Sequence, residues 1–394
     1  MKKIVLAYSG GLDTSVMLHW LKQKYQCEII AYCADVGQDG ELAGLEEKAL
    51  KTGASKIFIV DLKKEFVENF IFPAVQAQAV YEGSYLLGTS LARPLIAKKQ
   101  IEIALAEGAD AVAHGATGKG NDQIRFELAY QALAPQITPI APWREWPFQG
   151  RNDLIAYAKT HDIPVSATAA KPYSTDRNLM HISFEGGVLE NPWNAPPKDL
   201  FVLTHNLDQT PNTPDILEIE YLHGIPIGIN NQKLGPVELL TQLNQLGGKH
   251  GIGRIDIVEN RYTGMKSRGV YETPGATILH AAHRALESIT IDRESMHLRD
   301  SLSSKFAELI YNGYWFAPEF QMLLSFLKPM QQKVTGTVRL ELFKGNTRTT
   351  GRKAPHSLYS EKLVSFEGNQ GFTPSDATGF IKLNALRFAG GQHD

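Results

Sequence analysis

Residues 1 to about 165 alternate short apolar runs with stretches of helical periodicity, and few folds accept that pattern. The runs are Ile4 to Ala7, Ile29 to Cys33, Lys56 to Asp61, Ala111 to His114 and Gln136 to Ile140. Each is nearly all apolar, as expected of strands covered on both faces, so the pattern predicts a parallel sheet with crossover helices. Between them, Thr14 to Lys24, Gly40 to Thr52 and Leu91 to Gly108 repeat apolar residues near every 3.6 positions, and Gly53 and Gly108 follow as helix stops. From about 166 the character changes to polar loops rich in Pro and Gly (Glu185 to Pro197) and strands cut by turns (Leu217 to Gln232). Helical patterns return at Gly235 to Leu246, Gly275 to Leu286 and Ser301 to Leu327. Thr337 to Phe343 alternates apolar and polar residues ahead of Lys344-Gly345-Asn346, which predicts a hairpin. A last amphipathic segment starts at Pro374-Ser375-Asp376 and carries Phe380, Leu383, Leu386 and Phe388. Such a tail after a loop often docks on another subunit.

At 394 residues the chain is too long for one ordinary core, so an α/β domain over 1–165, an α+β domain over 166–360 and an arm with a helix over 361–394 are expected. Net charge is −2 and no Lys/Arg block stands out, which disfavours nucleic acid and favours small-molecule substrates. Cys27 and Cys33 are too few for a disulfide framework and lack CxxC spacing; they are expected as buried thiols beside the second strand. Ile4 to Ala7 is too short for a signal-peptide core, and no apolar stretch approaches the roughly 20 residues that span a bilayer, so a cytoplasmic protein without membrane attachment is expected.

The first strand runs out at Tyr8 into Ser9-Gly10-Gly11-Leu12-Asp13-Thr14-Ser15, directly before helical periodicity sets in. Two glycines at a strand-to-helix turn let backbone N–H groups approach an anion, and the Ser9, Thr14 and Ser15 hydroxyls add donors. The string is not a Walker loop, because no GK[ST] follows. The plainer alternative for the bare pattern is a Gly-Gly turn before a helix with Asp13 and Thr14 as cap residues. A second glycine-rich loop leaves the fourth strand as His114-Gly115-Ala116-Thr117-Gly118-Lys119-Gly120-Asn121-Asp122-Gln123, followed by Ile124 to Glu127. Lys119 precedes glycine rather than a hydroxyl, so this is no phosphate loop either. Arg125 suits a ligand carboxylate in bidentate fashion, and Asp122 an ammonium group. A flexible loop ahead of a capped helix is the plainer alternative.

SGGLDTS after the first strand resembles the signature of the PP-loop ATP pyrophosphatases, which have an open nucleotide-binding α/β fold and cleave ATP between its α and β phosphates. GATGKGNDQIRFE and YLLGTSLARP (Tyr85 to Pro94) narrow the likeness to the argininosuccinate synthase family. Further matches are Tyr173-Ser174-x-Asp176-x-Asn178-Leu179, Ser183-x-Glu185-x-Gly187-x-Leu189-Glu190, Gly253-Arg254 through Arg261, and Gly264 through Gly275. That resemblance implies a PP-loop nucleotide-binding domain, a synthetase domain and a C-terminal oligomerisation helix in a homotetramer. It implies ligation of citrulline and aspartate through citrullyl-AMP, a step of arginine biosynthesis, with ATP and Mg²⁺. Carried over, Ala7, Tyr8, Ser9, Gly10, Gly11, Leu12, Asp13, Thr14, Ser15, Ala34 and Gly115 contact ATP. Ser9 and Asp13 stand at the chemistry, with Asp13 near the metal. Thr117, Asn121 and Asp122 contact aspartate. Tyr85, Ser90, Asn121, Arg125, Ser174, Ser183, Glu259 and Tyr271 contact citrulline. Lys119 or Lys171 is a candidate to offset α-phosphate charge. Met180 and His181 match no firm pattern.

Two rivals are disfavoured. A tRNA-thiolating relative would want a reactive cysteine pair and a basic surface, and an amidotransferase an N-terminal nucleophile; the chain opens Met-Lys-Lys and has neither. A nucleotide-binding module without catalysis would leave some 200 further residues of patterned polar loops unused.

Overall fold

The computed structural model describes residues 1–38, 40, 42–118, 120–164, 173–365, 371 and 373–388. All five expected strands are present as β1 (Lys3–Ala7), β2 (Glu28–Asp35), β3 (Lys56–Asp61), β4 (Ala111–Ala113) and β5 (Thr138–Ile140). They form one parallel sheet in the order β3-β2-β1-β4-β5. The helices between them are α1 (Leu12–Tyr25), α2 (Leu45–Thr52), α3 (Lys63–Phe66), α4 (Phe72–Gln76), α5 (Gly88–Ala106), α6 (Asp122–Leu133) and α7 (Arg151–Thr160). A π turn, Val67–Ile71, joins α3 to α4. Alternate residues of β1 feed two cores. Ile4 and Leu6 pack with Val16, Leu18 and Leu154 on one face, while Val5 packs on the other with Leu91 and Leu95. Two-faced burial is why these strands read as unbroken apolar runs.

The remaining chain forms two antiparallel sheets. One, β10-β9-β8-β13-β14, is built from β8 (Asp215–Leu222), β9 (Ile225–Ile229), β10 (Gln232–Lys233), β13 (Gly336–Phe343) and β14 (Asn346–Lys353). The other, β11-β12-β7-β6, joins β6 (Ser174–Arg177), β7 (Ile182–Glu185), β11 (Arg254–Asn260) and β12 (Lys266–Glu272). The β13–β14 hairpin is the expected one. The helices here are α8 (Pro236–Lys249), α9 (Pro274–Thr290), α10 (Arg293–Asn312), α11 (Pro318–Gln331), α12 (Glu361–Val364) and α13 (Asp376–Ala385).

Three expectations need correction. The Ser301 to Leu327 pattern is two helices, because the chain turns left-handed at Gly313 and restarts at Pro318. The second helix starts at Leu45, not Gly40. Cys27 is half-buried, and only Cys33 is buried.

The core on the Val5 face continues into α8, α9 and α10 through Leu239, Ile278 and Phe306. Within it Arg299 is fully buried and forks onto Glu287, also fully buried, at 2.8 and 2.7 Å. The same guanidinium donates to the Gln76 carbonyl at 2.9 Å, tying α10 to the C-terminal end of α4. Arg299→Met leaves the Glu287 charge unpaired, and we expect urea titration to show a loss of about 3–5 kcal/mol. Arg299→Met with Glu287→Leu should recover much of that loss. A single variant as stable as the parent would show that the pair does not hold these helices together.

Candidate active site

In the sheet order, the chain passes from β1 outward to β3 on one side, then crosses back to β4 and β5 on the other. The loops after β1 and β4 therefore emerge side by side at the carboxyl edge, where ligands of open α/β sheets bind. A cavity of about 740 Å³ opens there.

The β1 loop makes one end of it. Gly10 takes φ +75°, a conformation side chains disfavour, and Gly11 then caps α1 with extended backbone. Ser9 Oγ and Thr14 Oγ1 lie 3.1 Å apart and brace the turn. Ala7 through Thr14 line the cavity, so the first turn of α1 presents its unpaired N–H groups to it. Burial pushes the Asp13 carboxyl above its usual range, with Arg151 pulling the other way. Ser15 departs from expectation. Its side chain is fully buried, its hydroxyl 3.3 Å from Tyr8 Oη and 3.5 Å from the Gly10 carbonyl of the turn, and it does not line the cavity. Ala34, at the end of β2, also lines the cavity, and its carbonyl accepts from Gln38 Nε2 at 2.6 Å.

The β4 loop touches the first directly. A Cβ on Gly115 would stand 3.0 Å from Thr14 Cγ2, so glycine lets the two loops close up. Gly115, Thr117, Asn121, Asp122 and Arg125 all line the cavity. Asn121 Oδ1 accepts the Tyr262 N–H at 3.0 Å, anchoring the loop to the turn after β11. Asp122 sits between two guanidiniums, Arg93 Nε at 2.8 Å and Arg125 Nη1 at 2.8 Å. Burial works to raise its pKa, but the two arginines outweigh burial and bring it down to about 2. Arg125 is not the free bidentate fork that was expected. Its Nε donates to the Tyr311 carbonyl at 2.8 Å and its Nη1 to Asp122, leaving Nη2 as the nitrogen without a hydrogen bond among the described residues.

The opposite wall is the β11-β12-β7-β6 sheet. Its register sets Asp176 against Ser183 and Ser183 against Tyr271, so three strands present adjacent side chains. Ser174, Ser183, Glu259 and Tyr271 line the cavity, and Tyr85 stacks on Tyr271 with centroids 4.4 Å apart. Tyr271 Oη donates to Glu259 at 3.3 Å. Burial lifts the Glu259 carboxyl to about 7, with Arg125 pulling it down and Glu185 pushing it up. Ser90 is the second departure: it is fully buried in α5 and does not line the cavity. His181, stacked on Tyr271 at 5.8 Å, belongs to the packing behind this wall.

Several cavity residues escaped the sequence reading. Arg93 bridges Asp122 to Asp176 (2.9 Å), linking the two halves of the site. Asp176, Glu185 and Arg261 lie inside quoted motifs, which was the available signal; Lys48, Arg151 and Arg177 carried none. Lys119 and Lys171 lie outside the described residues. Among the described residues no group of three or more His, Cys, Asp or Glu side chains could hold a metal, and no helix is long and apolar enough to cross a membrane.

Comparison with known proteins identifies the family. Residues 3–164 match the model of the arginosuccinate synthase N-terminal HUP domain, and residues 173–390 that of the arginosuccinate synthase C-terminal domain. A protein named argininosuccinate synthase from Syntrophus aciditrophicus (strain SB) is 58% identical over 389 residues, 98% of this chain and 97% of its own. The protein of that name from Desulfatibacillum aliphaticivorans is 58% identical over 387 residues, with 98% and 97% covered. Among solved structures, the U34-tRNA thiolase NcsA from Methanococcus maripaludis overlaps 43% of this chain and 59% of its own, with 18% identity and a TM-score of 0.31, a match too weak to bear on function. Matched along nearly its whole length, the chain belongs to the argininosuccinate synthase family.

Proposed function

We propose that this chain ligates citrulline to aspartate, cleaving ATP to AMP and pyrophosphate and releasing argininosuccinate. One observation carries the reading: a phosphate nest and a buried Glu259–Arg125 recess suited to an amino acid share one cavity, with Thr117 and Asp122 lining it as well. The turn Ser9 to Thr14 holds the β and γ phosphates through backbone N–H groups and hydroxyls. Adenine lies against Ala34 and Gly115. Mg²⁺ enters with ATP as part of the substrate, and Asp13 suits it because such ions take one or two carboxylates and otherwise phosphate oxygens. Citrulline binds against Tyr85 and Tyr271, its ammonium at Glu259 and its carboxylate at Arg125 Nη2, with Asn121, Ser174 and Ser183 around it.

The ureido oxygen is a poor nucleophile, so positioning supplies most of the acceleration. That oxygen bonds to the α-phosphorus as the bond to the bridging oxygen breaks, and the electron pair leaves with pyrophosphate. The aspartate amine, held at Thr117, Asn121 and Asp122, then attacks the ureido carbon, and AMP departs with the oxygen. The charge that develops on the leaving group meets donors already in place. Pyrophosphate release from ATP, assayed with each amino acid alone and with both together, tests the reading: release that ignores citrulline would overturn it.

Asp13→Ala should lower citrulline-dependent pyrophosphate release by roughly 100-fold or more without unfolding the chain, as loss of one charge-stabilising group does elsewhere. Normal turnover would remove Asp13 from the phosphate end. The Glu259 carboxyl at about 7 sets a pH dependence. Only its ionised form attracts the citrulline ammonium, so the citrulline KM should fall roughly tenfold from pH 6 to pH 8, and Glu259→Gln should be weak and flat across that range. A wild-type KM that is flat over the same interval would take the ammonium away from Glu259.

The proposed assembly is a homotetramer in which α13 reaches a neighbouring subunit. Phe380, Leu383 and Phe388 of that segment are each about 70% exposed, which leaves these apolar side chains largely uncovered among the described residues. Truncation after Gly371 should reduce the mass measured by light scattering; an unchanged mass would show that the helix is not the assembly contact.

A further inference from the structure

Helix α2 packs onto the outer side of the phosphate turn through two residues three positions apart, which share one helix face. Leu45 occupies the space above Gly10: a Cβ there would stand 2.3 Å from Leu45 Cδ1. Lys48, one turn on, donates its ammonium to the Gly10 carbonyl. Lys48 lines the cavity, is half-buried, and forms no ion pair with a carboxylate among the described residues. Other half-buried lysines here behave differently: Lys63 pairs with Asp35, and Lys98 with Glu65 at 2.7 Å. An ammonium has three donors, and the Gly10 carbonyl uses one. A half-buried cation with no carboxylate partner among the described residues, held against a turn whose N–H groups face an anion site, is suited to an anionic ligand.

We infer that Lys48 is a catalytic residue of this reaction, its ammonium donating to the pyrophosphate end of ATP and neutralising charge on the leaving group. The inference rests on the reading of Ser9 to Thr14 as the pyrophosphate nest. As the ureido oxygen bonds to the α-phosphorus, the electron pair of the broken bond passes to the β-phosphate. Lys48 meets that charge without transferring its proton. Burial lowers the Lys48 pKa, which fits an ammonium waiting for an anion rather than one already satisfied. Its tie to Gly10 also fixes the height of the turn, so one side chain shapes the nest and completes its charge.

Calorimetric titration of magnesium pyrophosphate, and separately of AMP, into the full-length wild-type, Lys48→Met and Lys48→Arg proteins tests this. Lys48→Met should bind pyrophosphate roughly 10- to 100-fold more weakly, the usual range for one hydrogen bond to a charged group, with AMP affinity within about twofold. Lys48→Arg should recover most of the pyrophosphate affinity. Retained AMP binding also reports that the variant is folded. Unchanged pyrophosphate affinity in Lys48→Met, or an equal loss for pyrophosphate and AMP, would overturn the role of Lys48 alone. A wild-type protein that binds AMP but not pyrophosphate would overturn the nest and Lys48 with it.

Discussion

The reversal of strand order at β1 is the constraint from which the site follows. With β2 on one flank of β1 and β4 on the other, the loops leaving β1 and β4 have no crossover between them. They meet at Gly115 and Thr14, where a Cβ on the first would stand 3.0 Å from the Thr14 methyl and crowd it. Everything placed in the cavity depends on that contact. The phosphate turn belongs to one loop, the residues at Thr117 and Asn121 to the other, and neither loop alone encloses a ligand.

A second sheet converts this edge into an enclosed site, and charge joins the two. Arg93 on α5 reaches Asp122 at the start of α6 and Asp176 on β6. One guanidinium thus spans the loop of the parallel sheet and the edge of the antiparallel one. Thr89, four residues before Arg93, donates to the same Asp176 at 2.8 Å and lies 3.0 Å from His181 Nε2. Buried ion pairs add little net stability, but removing one partner is costly, so such a bridge serves as a register device between two bodies of structure.

The parallel sheet and its loops were legible in the sequence because two-faced burial leaves unbroken apolar runs, and glycines at strand ends leave a local signature. The β11-β12-β7-β6 sheet was not. Its strands carry Ser174, Asp176, Ser183, Glu185 and Glu259, polar side chains turned to a ligand cavity, so apolar alternation is lost where the function sits. Only the motifs marked those residues. Ser15 and Ser90, buried and off the cavity lining, illustrate a related point: a motif names a hydroxyl, while only packing tells which way it is turned. Lys48 and Arg151 were invisible, since each comes from an ordinary helix and reaches the site only through the fold.

The two acidic groups of the cavity are held in opposite conditions. Asp122 lies between Arg93 and Arg125, each of its oxygens accepting from one guanidinium, and for that reason stays ionised down to about 2. Glu259 is also buried, but it accepts from the Tyr271 hydroxyl and forms no ion pair among the described residues, and burial lifts it to about 7 against the pull of Arg125. Environments that push two carboxyls apart in this way assign them different tasks. The clamped carboxylate fixes the geometry of Arg125 and of the loop. The unclamped one keeps its oxygens free of an ion pair among the described residues and open to an incoming ammonium. Arg125 belongs to both arrangements: Asp122 and the Tyr311 carbonyl hold two of its nitrogens, which aims the third. An amino acid entering the recess therefore meets a carboxylate that it can neutralise and a guanidinium whose direction is set, before any phosphate chemistry begins.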